Sequence, residues 1–285
     1  MTVLRCGRHE IDLSSPCVMG IVNVTADSFS ADGRLDPRAA IAHARRLRAE
    51  GAAIVDVGGE STRPGAAPVP EHVELARVIP VVEALAAEGI VVSVDTMKPG
   101  VMRAAIAAGA SMVNDVTALA ASGAIGAVAA SGAGVCLMHM QGEPRTMQRD
   151  PHYVDVVAEV AAFLTARAQA CRDMGIESGR IVVDPGFGFG KSVAHNLELL
   201  RRLDAIVDLG FPVLAGLSRK STLGAITGRD VGERLSASVA AALAAALRGA
   251  RILRVHDVRE TVDALAVWRA IEPWTGLHLR REGTA

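Results

Sequence analysis

The chain contains few aromatic residues and almost no net charge. Only 3% of its 285 residues are aromatic whereas 50% are hydrophobic, so a core must be built from valine, isoleucine, leucine and alanine. The formal charge of −1 gives no long-range field for nucleic acid or for an anionic membrane, so any recognition of anions must be local. We therefore expect small-molecule substrates as partners, with no nucleic acid and no membrane.

Cysteines are also scarce. The four of them are scattered and form no CxxC pair, as expected of small buried residues in a reducing compartment. The first residues lack the apolar stretch of a secretory signal, and the Ala-rich segment 237–247 is too short to span a bilayer. These patterns predict a cytoplasmic protein.

The chain does contain eight short apolar runs, each ending in a polar or ionisable residue. Near-continuous aliphatic runs are typical of strands that are buried on both faces of a parallel sheet. The runs are residues 18–23, 53–60, 90–95, 111–115, 134–139, 180–184, 212–218 and 251–256. Helical patterns alternate with them, as in repeated βα units. The predicted helices are residues 38–50, 70–87, 98–108, 122–130, 153–174, 195–207, 231–248 and 258–271.

This alternation predicts an α/β fold, a single (β/α)8 TIM barrel that takes up residues 1–285 as one domain. Branched aliphatic side chains are the residues that fill the interior of such barrels. We expect residues 1–13 to form a short N-terminal hairpin that plugs the amino end of the barrel, and residues 280–285 to be a frayed tail. An open, doubly wound sheet is the alternative that the pattern leaves open.

In a TIM barrel, catalysis takes place at the carboxyl ends of the strands. Polar residues at or next to the ends of seven of these runs therefore form the predicted rim of the active site. They are Asn23, Asp95, Asn114, His139, Asp184, Ser218 and His256. The longest polar connections, residues 25–36, 60–70 and 140–151, follow the first, second and fifth runs and belong to the same rim.

Asp184 opens the segment Asp-Pro-Gly-Phe-Gly-Phe-Gly-Lys-Ser, which is one position away from a P-loop. Pro185 stands where a P-loop requires glycine, and proline lacks the N–H group that a phosphate cradle needs. A nucleotide triphosphatase is therefore disfavoured, and a tight turn is the simplest interpretation of the glycines. A strand-end carboxylate can instead accept two N–H bonds from the guanidine-like edge of a heterocycle.

Four residues at or near the rim combine the chemistry of a heterocycle pocket: two carboxylate acceptors, an amide and a cation. They are Asp95, Asn114, Asp184 and Lys220. Each has a simpler alternative. Asp95 could cap a helix, and Asn114 could satisfy a neighbouring loop. Asp184 could be a turn residue, and Lys220 could belong to a solvated basic pair with Arg219.

Two further groups suit an anion and a metal ion. Arg254 and His256 are two positions apart on the last run and so face the same side, where barrels of this kind often hold phosphate. Arg63, in the loop after the second run, could join them. The simpler alternative for His256 is a core residue, because a lone histidine on a strand more often has that role. Asn23 and Asp27 offer oxygen ligands that favour Mg²⁺ bound to a phosphorylated substrate, with a capped polar loop as the alternative.

Eight stretches, in order between about residue 18 and residue 270, resemble the bacterial dihydropteroate synthases. Single motifs of this kind are modestly specific, but eight in the same order are highly specific. The stretches are Asn23-Val-Thr-x-Asp-Ser-Phe-Ser, Gly59-Glu-Ser-Thr-Arg-Pro-Gly65, Val92-Ser-Val-Asp-Thr, Asn114-Asp-Val, Met138-His-Met-Gln-Gly142, Asp184-Pro-Gly-Phe-Gly-Phe-Gly-Lys191, Ser218-Arg-Lys-Ser221 and Arg254-Val-His-Asp257.

The resemblance implies a homodimeric TIM-barrel transferase of folate synthesis that uses Mg²⁺. Enzymes of this family join 6-hydroxymethyl-7,8-dihydropterin diphosphate to p-aminobenzoate and release pyrophosphate. Sulfonamides compete for their p-aminobenzoate site.

The resemblance also implies roles for single residues. The pterin is held by Asp95, Asn114, Asp184 and Lys220, with Met138 and Gly216 as further substrate contacts. The diphosphate is held by Asn23, Arg63, Arg254 and His256, with Mg²⁺ at Asn23 and Asp27. The p-aminobenzoate is surrounded by Thr62, Arg63, Phe189, Lys220 and Ser221. The catalytic set is Asn23, Asp27, Arg63, Lys220, Arg254 and His256.

The chain departs from the family pattern at a few positions. Ala26 stands where proline is usual, Thr222 where an aromatic residue is usual, and Ala118-Leu119 where glycine is usual. None of these touches the predicted pterin or anion residues. Two other functions remain open: a catalytically silent pterin-binding paralogue, which would not need Arg63, and a methyltetrahydrofolate methyltransferase, which would not need the diphosphate residues.

Overall fold

Eight parallel strands form the centre of the molecule in a computed structural model, which describes residues 2–25, 30–31, 34–62, 65–143 and 145–271. The strands of the described residues, eight in this central sheet and four in the antiparallel pairs β1-β2 and β4-β5, are β1 (Val3–Cys6), β2 (His9–Asp12), β3 (Cys17–Asn23), β4 (Ser30–Ala31), β5 (Arg34–Leu35), β6 (Ile54–Gly58), β7 (Val92–Asp95), β8 (Met112–Asp115), β9 (Gly134–Met138), β10 (Ile181–Asp184), β11 (Leu214–Ala215) and β12 (Ile252–Val255). The helices are α1 (Pro37–Ala49), α2 (Glu71–Ala87), α3 (Pro99–Ala107), α4 (Ala124–Ala129), α5 (Val156–Asp173), α6 (Val193–Arg201), α7 (Asp204–Val207), α8 (Ser221–Thr227), α9 (Leu235–Leu247) and α10 (Val258–Ile271).

The sheet closes on itself. Its strands follow the order β10-β9-β8-β7-β6-β3-β12-β11, and every neighbouring pair is parallel. Val183 of β10 forms a parallel bridge with Val213, and its N–H donates to the carbonyl of Pro212 at 3.0 Å, which joins the two ends of this order. The predicted (β/α)8 barrel is therefore confirmed, and the open doubly wound sheet is excluded.

Aliphatic side chains fill the space between the barrel and its helices, as the scarcity of aromatic residues predicted. Every residue of β6 and of β9 is buried, which explains why these strands are near-continuous apolar runs. Leu47 of α1 approaches the barrel so closely that a Cβ on Gly20 of β3 would lie 2.9 Å from its Cδ1 atom. The first helix begins as the sequence indicates, because the Asp36 side chain accepts from the N–H of Arg38 and Pro37 takes the first helical position.

The N-terminal hairpin closes the amino end of the barrel. Strands β1 and β2 pair antiparallel around Gly7, whose φ of +58° suits a glycine. The inward side chains of the hairpin share one buried cluster with residues from the start of the barrel strands. That cluster contains Leu4, Cys6, Ile11, Leu13, Met19, Ile54, Met112, Cys136, Val182, Leu214 and Ile252.

Two helical segments differ from the prediction. Residues 195–207 were expected to form one helix, but the chain forms α6 and the separate short α7. Helix α6 begins earlier than expected because the Ser192 side chain accepts from the N–H of His195 in a capping box. Helix α8, directly after Lys220, was not predicted because its seven residues are too few for a clear apolar period. None of the helices that the structure describes has the length and apolar content needed to cross a bilayer.

Replacing Leu4 by alanine tests the role of the hairpin. Leu4 is fully buried, so we expect the Leu4→Ala variant to lose about 2–5 kcal/mol of unfolding free energy through the cavity left behind, measured by chemical denaturation. Val3→Ala is the matched control, because Val3 is the adjacent residue of the same strand and is 40% exposed. Equal losses in the two variants would contradict a plugging role.

Candidate active site

The strand register brings the predicted rim residues to a common level. Asp95 pairs with Asn114 on one side and with Gly58 on the other, and Gly58 in turn pairs with Asn23. Asp184 pairs with Met138 across β10 and β9. Because parallel strands end at the same edge of a sheet, residues from distant parts of the chain meet at one mouth of the barrel.

A network of charged and amide side chains spans this mouth. Arg254 donates from Nε to Asp56 Oδ2 at 2.6 Å and from Nη2 to Asp95 Oδ2 at 2.7 Å. Asn114 donates from Nδ2 to the same Asp56 oxygen at 3.0 Å. Arg254 therefore reaches across β3 to the predicted heterocycle residues and connects them to the predicted anion residues.

Asp56 is the residue of this network that the sequence interpretation missed. Its side chain is fully buried in the middle of β6, and its Oδ1 atom has no hydrogen-bond partner among the described residues. A carboxylate at the centre of an apolar strand was the available signal, since buried charges are rarely found without a partner. Strand-end position, on which the prediction relied, does not detect such a residue.

Burial and neighbouring charge set the electrostatics of the network. Burial raises the pKa of Asp95, and Asp56 raises it further, whereas Arg254 opposes the rise. Burial lowers the pKa of Arg254, but Asp56 and Asp95 outweigh this effect and raise it overall. One permanent cation thus serves two carboxyl groups, and the Asp56 oxygen left without a partner among the described residues suits a ligand that brings N–H donors.

Asp184 and Lys220 form the second half of the site. Asp184 Oδ1 accepts from the N–H of Gly186 at 2.7 Å, so the carboxylate also has the turn role that was the simpler alternative. Lys220 Nζ donates to the carbonyl of Phe187 and lies 4.6 Å from the centroid of the Phe189 ring. Burial raises the pKa of Asp184 and lowers that of Lys220 to about 8, and the attraction between the two groups opposes both shifts.

Two of the simpler alternatives do not match the contacts. Asp95 caps no helix, because α3 begins at Pro99 with Lys98 at its N-cap. Lys220 does not form a solvated pair with Arg219, whose Nε atom instead donates to Asp257 Oδ2 at 3.1 Å. The two adjacent cations face different partners, and only Lys220 is directed at the glycine-rich loop.

His256 completes the rim on the last strand. Its Nδ1 atom lies 3.0 Å from the Ser218 hydroxyl, which also accepts from the His256 N–H at 3.2 Å. Ser218 therefore fixes the orientation of the imidazole. Gly216 lies close by, since a Cβ built on it would be 3.9 Å from both Arg254 Cβ and Lys220 Nζ.

The remaining predicted site residues are placed as follows. Met138 is buried at the end of β9, and Asn23 is half-buried at the end of β3. Thr62 is half-buried after β6, and Ser221 is exposed at the first position of α8. Asp27 and Arg63 lie outside the described residues, so their predicted roles stay predictions.

Comparison with known proteins agrees with this geometry. The family model described as pterin binding enzyme matches residues 19–256. A dihydropteroate synthase of Neisseria meningitidis serogroup B is 50% identical over 94% of this chain and 97% of its own length. The chain belongs to the dihydropteroate synthase family.

Solved structures of dihydropteroate synthases show the same fold. The enzyme of Xanthomonas albilineans with 4-aminobenzoic acid matches with a TM-score of 0.91 and 55% identity, over 95% of this chain and 98% of that one. The enzyme of Burkholderia cenocepacia complexed with 7,8-dihydropteroate matches with a TM-score of 0.87 and 52% identity, over 95% of this chain and 96% of that one.

One departure from the dihydropteroate synthase pattern has a visible compensation. Ala118 and Leu119 have φ of +54° and +57°, a left-handed conformation that costs a non-glycine residue about 1–2 kcal/mol. Asp115 accepts from the N–H of Leu119 at 2.8 Å, and Arg167 donates to the carbonyls of Ala118 and Leu119, both at 2.9 Å. These bonds stabilise the left-handed conformation of the loop after β8. A glycine would adopt that conformation without such bonds.

The loop after β6, which carries Thr62 in this synthase fold, is anchored by a buried ion cluster. Lys98 Nζ donates to carboxylate oxygens of both Glu60 and the fully buried Glu74. Glu60 also accepts from the N–H of Val69 at 3.0 Å, which ties the two ends of the loop together. Burial lowers the pKa of Lys98, but the bonds to Glu60 and Glu74 outweigh burial and raise it overall.

Removing Lys98 tests this anchor. In Lys98→Met the buried Glu74 carboxylate would lose its cation, and we expect a loss of about 3 kcal/mol of unfolding free energy at neutral pH. Arg45→Met, which breaks an exposed pair with Glu88, is the control and should change stability little. Equal losses in the two variants would contradict the ionic anchor.

Proposed function

We propose that this protein is a dihydropteroate synthase, a transferase that joins 6-hydroxymethyl-7,8-dihydropterin diphosphate to p-aminobenzoate and releases pyrophosphate. The product, 7,8-dihydropteroate, belongs to folate synthesis. The observation that carries this proposal is the shared mouth of the barrel. There the network of Asp56, Asp95, Asn114 and Arg254 lies together with Asp184 and Lys220.

The pterin fits the acidic side of this mouth. A pterin ring presents a guanidine-like edge whose N–H groups match a carboxylate, which supports Asp184 as its main acceptor. Asn114 and Asp95 add an amide and a second carboxylate on neighbouring strands. Met138 and Gly216, both buried at the rim, supply flat and close-fitting surroundings for a ring.

The proposed reaction is dissociative. The bond between the pterin methylene and the diphosphate oxygen breaks, the electron pair leaves with pyrophosphate, and the methylene becomes cationic. Arg254, His256 and Arg63 stabilise the departing anion, and the buried carboxylates stabilise the cation. The aryl amine of p-aminobenzoate then attacks the methylene and releases a proton, so no covalent bond to the protein is needed.

The proposed binding site of p-aminobenzoate is formed by Phe189, Lys220, Thr62 and Ser221. The support is the placement of Lys220 over the Phe189 ring, which brings a cation and an aromatic ring into the same part of the site. An aromatic carboxylate needs both, one for its charge and one for its ring. Sulfonamides, which compete for this site in the family, are expected to compete here as well.

The residues of the first loop suit Mg²⁺, because they offer the oxygen ligands that this ion prefers. Among the described residues no group of three or more His, Cys, Asp or Glu side chains could hold a metal ion. Mg²⁺ does not require such a group, because it retains water and binds substrate phosphates alongside one or two protein oxygens. Asn23 and Asp27 would hold it, and when bound it would stabilise the charge of the leaving diphosphate.

The assembly and location are also part of the proposal. The Ala-rich helix α9 has Leu235 and Leu247 exposed at its two ends, which supports a homodimer through a flat helical face. All four cysteines are free, which is consistent with the reducing cytoplasm.

The proposed activity is tested by measuring pyrophosphate release from the pterin diphosphate with and without p-aminobenzoate. We expect release to depend on p-aminobenzoate and to match the dihydropteroate formed, measured by chromatography. A silent pterin-binding paralogue would bind pterin without release, and a methyltransferase would release none. Either result would overturn the proposal.

A pair of carboxamide variants provides the control for that assay. Asp184→Asn removes a rim carboxylate and should lower the rate by about a hundredfold or more. Asp173→Asn makes the same change at the exposed end of α5 and should leave the rate unchanged.

Removal of magnesium gives a separate test of the metal. Chelation by EDTA should slow pyrophosphate release by about tenfold or more, and added Mg²⁺ should restore it, because the diphosphate then regains its counter-charge. Full activity in chelator, with the free metal concentration verified, would remove Mg²⁺ from the proposal.

A further inference from the structure

The lysine that ends the glycine-rich segment has no role in the function proposed so far. Lys191 is only 3% exposed. Its Nζ atom donates to the carbonyls of Gly186 and Phe189, both at 3.0 Å, and lies 2.9 Å from His139 Nδ1. The ammonium group is thus enclosed by its own loop and by the end of β9, and it is not turned towards a phosphate as in a P-loop.

The loop of residues 185–190 presents its carbonyl groups to donors from several directions. Lys220 donates to Phe187 O, Gln148 to Gly188 O, and the Tyr153 hydroxyl to Gly190 O at 2.7 Å. Of these side-chain donors in the described residues, Lys191 is the one that bonds two carbonyls of the loop. It connects Gly186 and Phe189, which flank the stretch that contacts Lys220.

Two glycines of this loop pack closely against the segment that follows β9. Gly186 has φ of +68°, and a Cβ on it would lie 1.9 Å from the carbonyl oxygen of His139. Gly190 has φ of +62°, and its Cβ would lie 2.4 Å from the carbonyl oxygen of Gln141. The loop therefore packs directly on the residues after β9, and Lys191 fills the remaining polar space between the two segments.

The enclosed ammonium group is energetically expensive, which argues against an incidental position. Burial lowers the pKa of Lys191 to about 7, although the charge of Asp184 opposes this shift. Burial and the proximity of Lys191 also lower the pKa of His139, to about 3, so His139 is neutral and its Nδ1 can accept. A buried cation persists only where acceptors offset its desolvation, and here those acceptors are two carbonyls of the loop together with His139 Nδ1.

The same loop sets the surroundings of Lys220 and Asp184. The N–H of Gly186 binds Asp184, the carbonyl of Phe187 binds Lys220, and the Phe189 ring lies under the Lys220 ammonium group. Loss of the connection between the Gly186 and Phe189 carbonyls would let both the Phe187 carbonyl and the Phe189 ring move. An error of about 1 Å in such a site can lower a rate by about a hundredfold.

We propose that Lys191 is a positioning residue, whose ammonium group ties the Gly186 and Phe189 carbonyls together and thereby fixes Lys220 and the Phe189 ring for the two substrates. This inference rests on the proposed synthase function. Lys191 touches neither substrate and acts through the loop.

The test compares Lys191→Met with Arg180→Met. Arg180 is a buried cation at the opposite end of the barrel that also binds backbone carbonyls, at 2.9 Å to Ala133 and 3.1 Å to Val128. Both variants should lose stability. Only Lys191→Met should raise the KM for p-aminobenzoate, by about tenfold or more, and lower kcat/KM by about a hundredfold. Equal kinetic effects in the two folded variants, or none in Lys191→Met, would overturn the proposal.

A double-mutant cycle with Lys220→Met tests the route of the effect. If Lys191 acts by placing Lys220 and the Phe189 ring, the loss in the double variant should be clearly smaller than the product of the two single losses. Losses that multiply would show that the two residues act independently and would contradict the proposal. If Lys191→Met does not fold, Lys191→Gln keeps an uncharged NH2 group that can donate to the loop, and the same comparison and cycle apply to it.

The two proposals fail in different ways. Wild-type protein that forms no dihydropteroate would refute the synthase function regardless of any variant. An active wild type with an unaffected Lys191 variant would refute only the positioning role. Nuclear magnetic resonance of ¹⁵N-labelled histidine adds a readout without turnover, because His139 Nδ1 should change its chemical shift in Lys191→Met and keep it in Arg180→Met.

Discussion

The guanidinium group of Arg254 connects parts of the barrel that no backbone hydrogen bond joins. Its strand, β12, is separated from β6 by β3, yet its side chain reaches Asp56 on β6 and Asp95 on β7. Without such a cation, the carboxylates of Asp56 and Asp95 would repel each other, because charges are screened poorly away from bulk water. The shape of the site therefore depends on one side chain that crosses the mouth of the barrel.

The two lysines near the site also bridge separate segments, but their acceptors are neutral carbonyl groups. Lys220 and Lys191 both direct their ammonium groups at carbonyls of the glycine-rich loop, with Asp184 as the nearby carboxylate. Burial lowers the pKa of Lys220 to about 8 and that of Lys191 to about 7, so each charge depends on the acceptors around it and on the nearby Asp184. Charged groups that are already oriented need no reorganisation when a substrate becomes charged during reaction.

The loops around the mouth are fixed at their bases by two lysines, one half-buried and one buried. Lys98 joins the start of the loop after β6 to helix α2, and Lys191 joins the loop after β10 to the end of β9. In both cases the anchored loop carries residues that are proposed to meet substrate. Binding residues on loops that a rigid scaffold positions are typical of this fold.

The sequence by itself determined the eight strands, their parallel arrangement and the residues at their carboxyl ends, such as Asp95, Asn114 and Asp184. Apolar runs and strand ends are local features, and the barrel converts order along the chain into position around a rim. Helix α8 and the split between α6 and α7 escaped because short helices have too few residues to show a period.

Only the tertiary structure decided which side chains meet. Nothing adjacent to Asp56 in the sequence indicates that it binds Arg254 and Asn114, and the P-loop-like pattern around Lys191 gave no sign that its ammonium group turns inward. These contacts depend on the distance across a closed barrel and on how far each buried charge must reach for a partner. A buried charge in a medium of low dielectric needs a partner that is close in space. Residues that are close in space can be far apart along the chain, so the order of residues does not identify these partners.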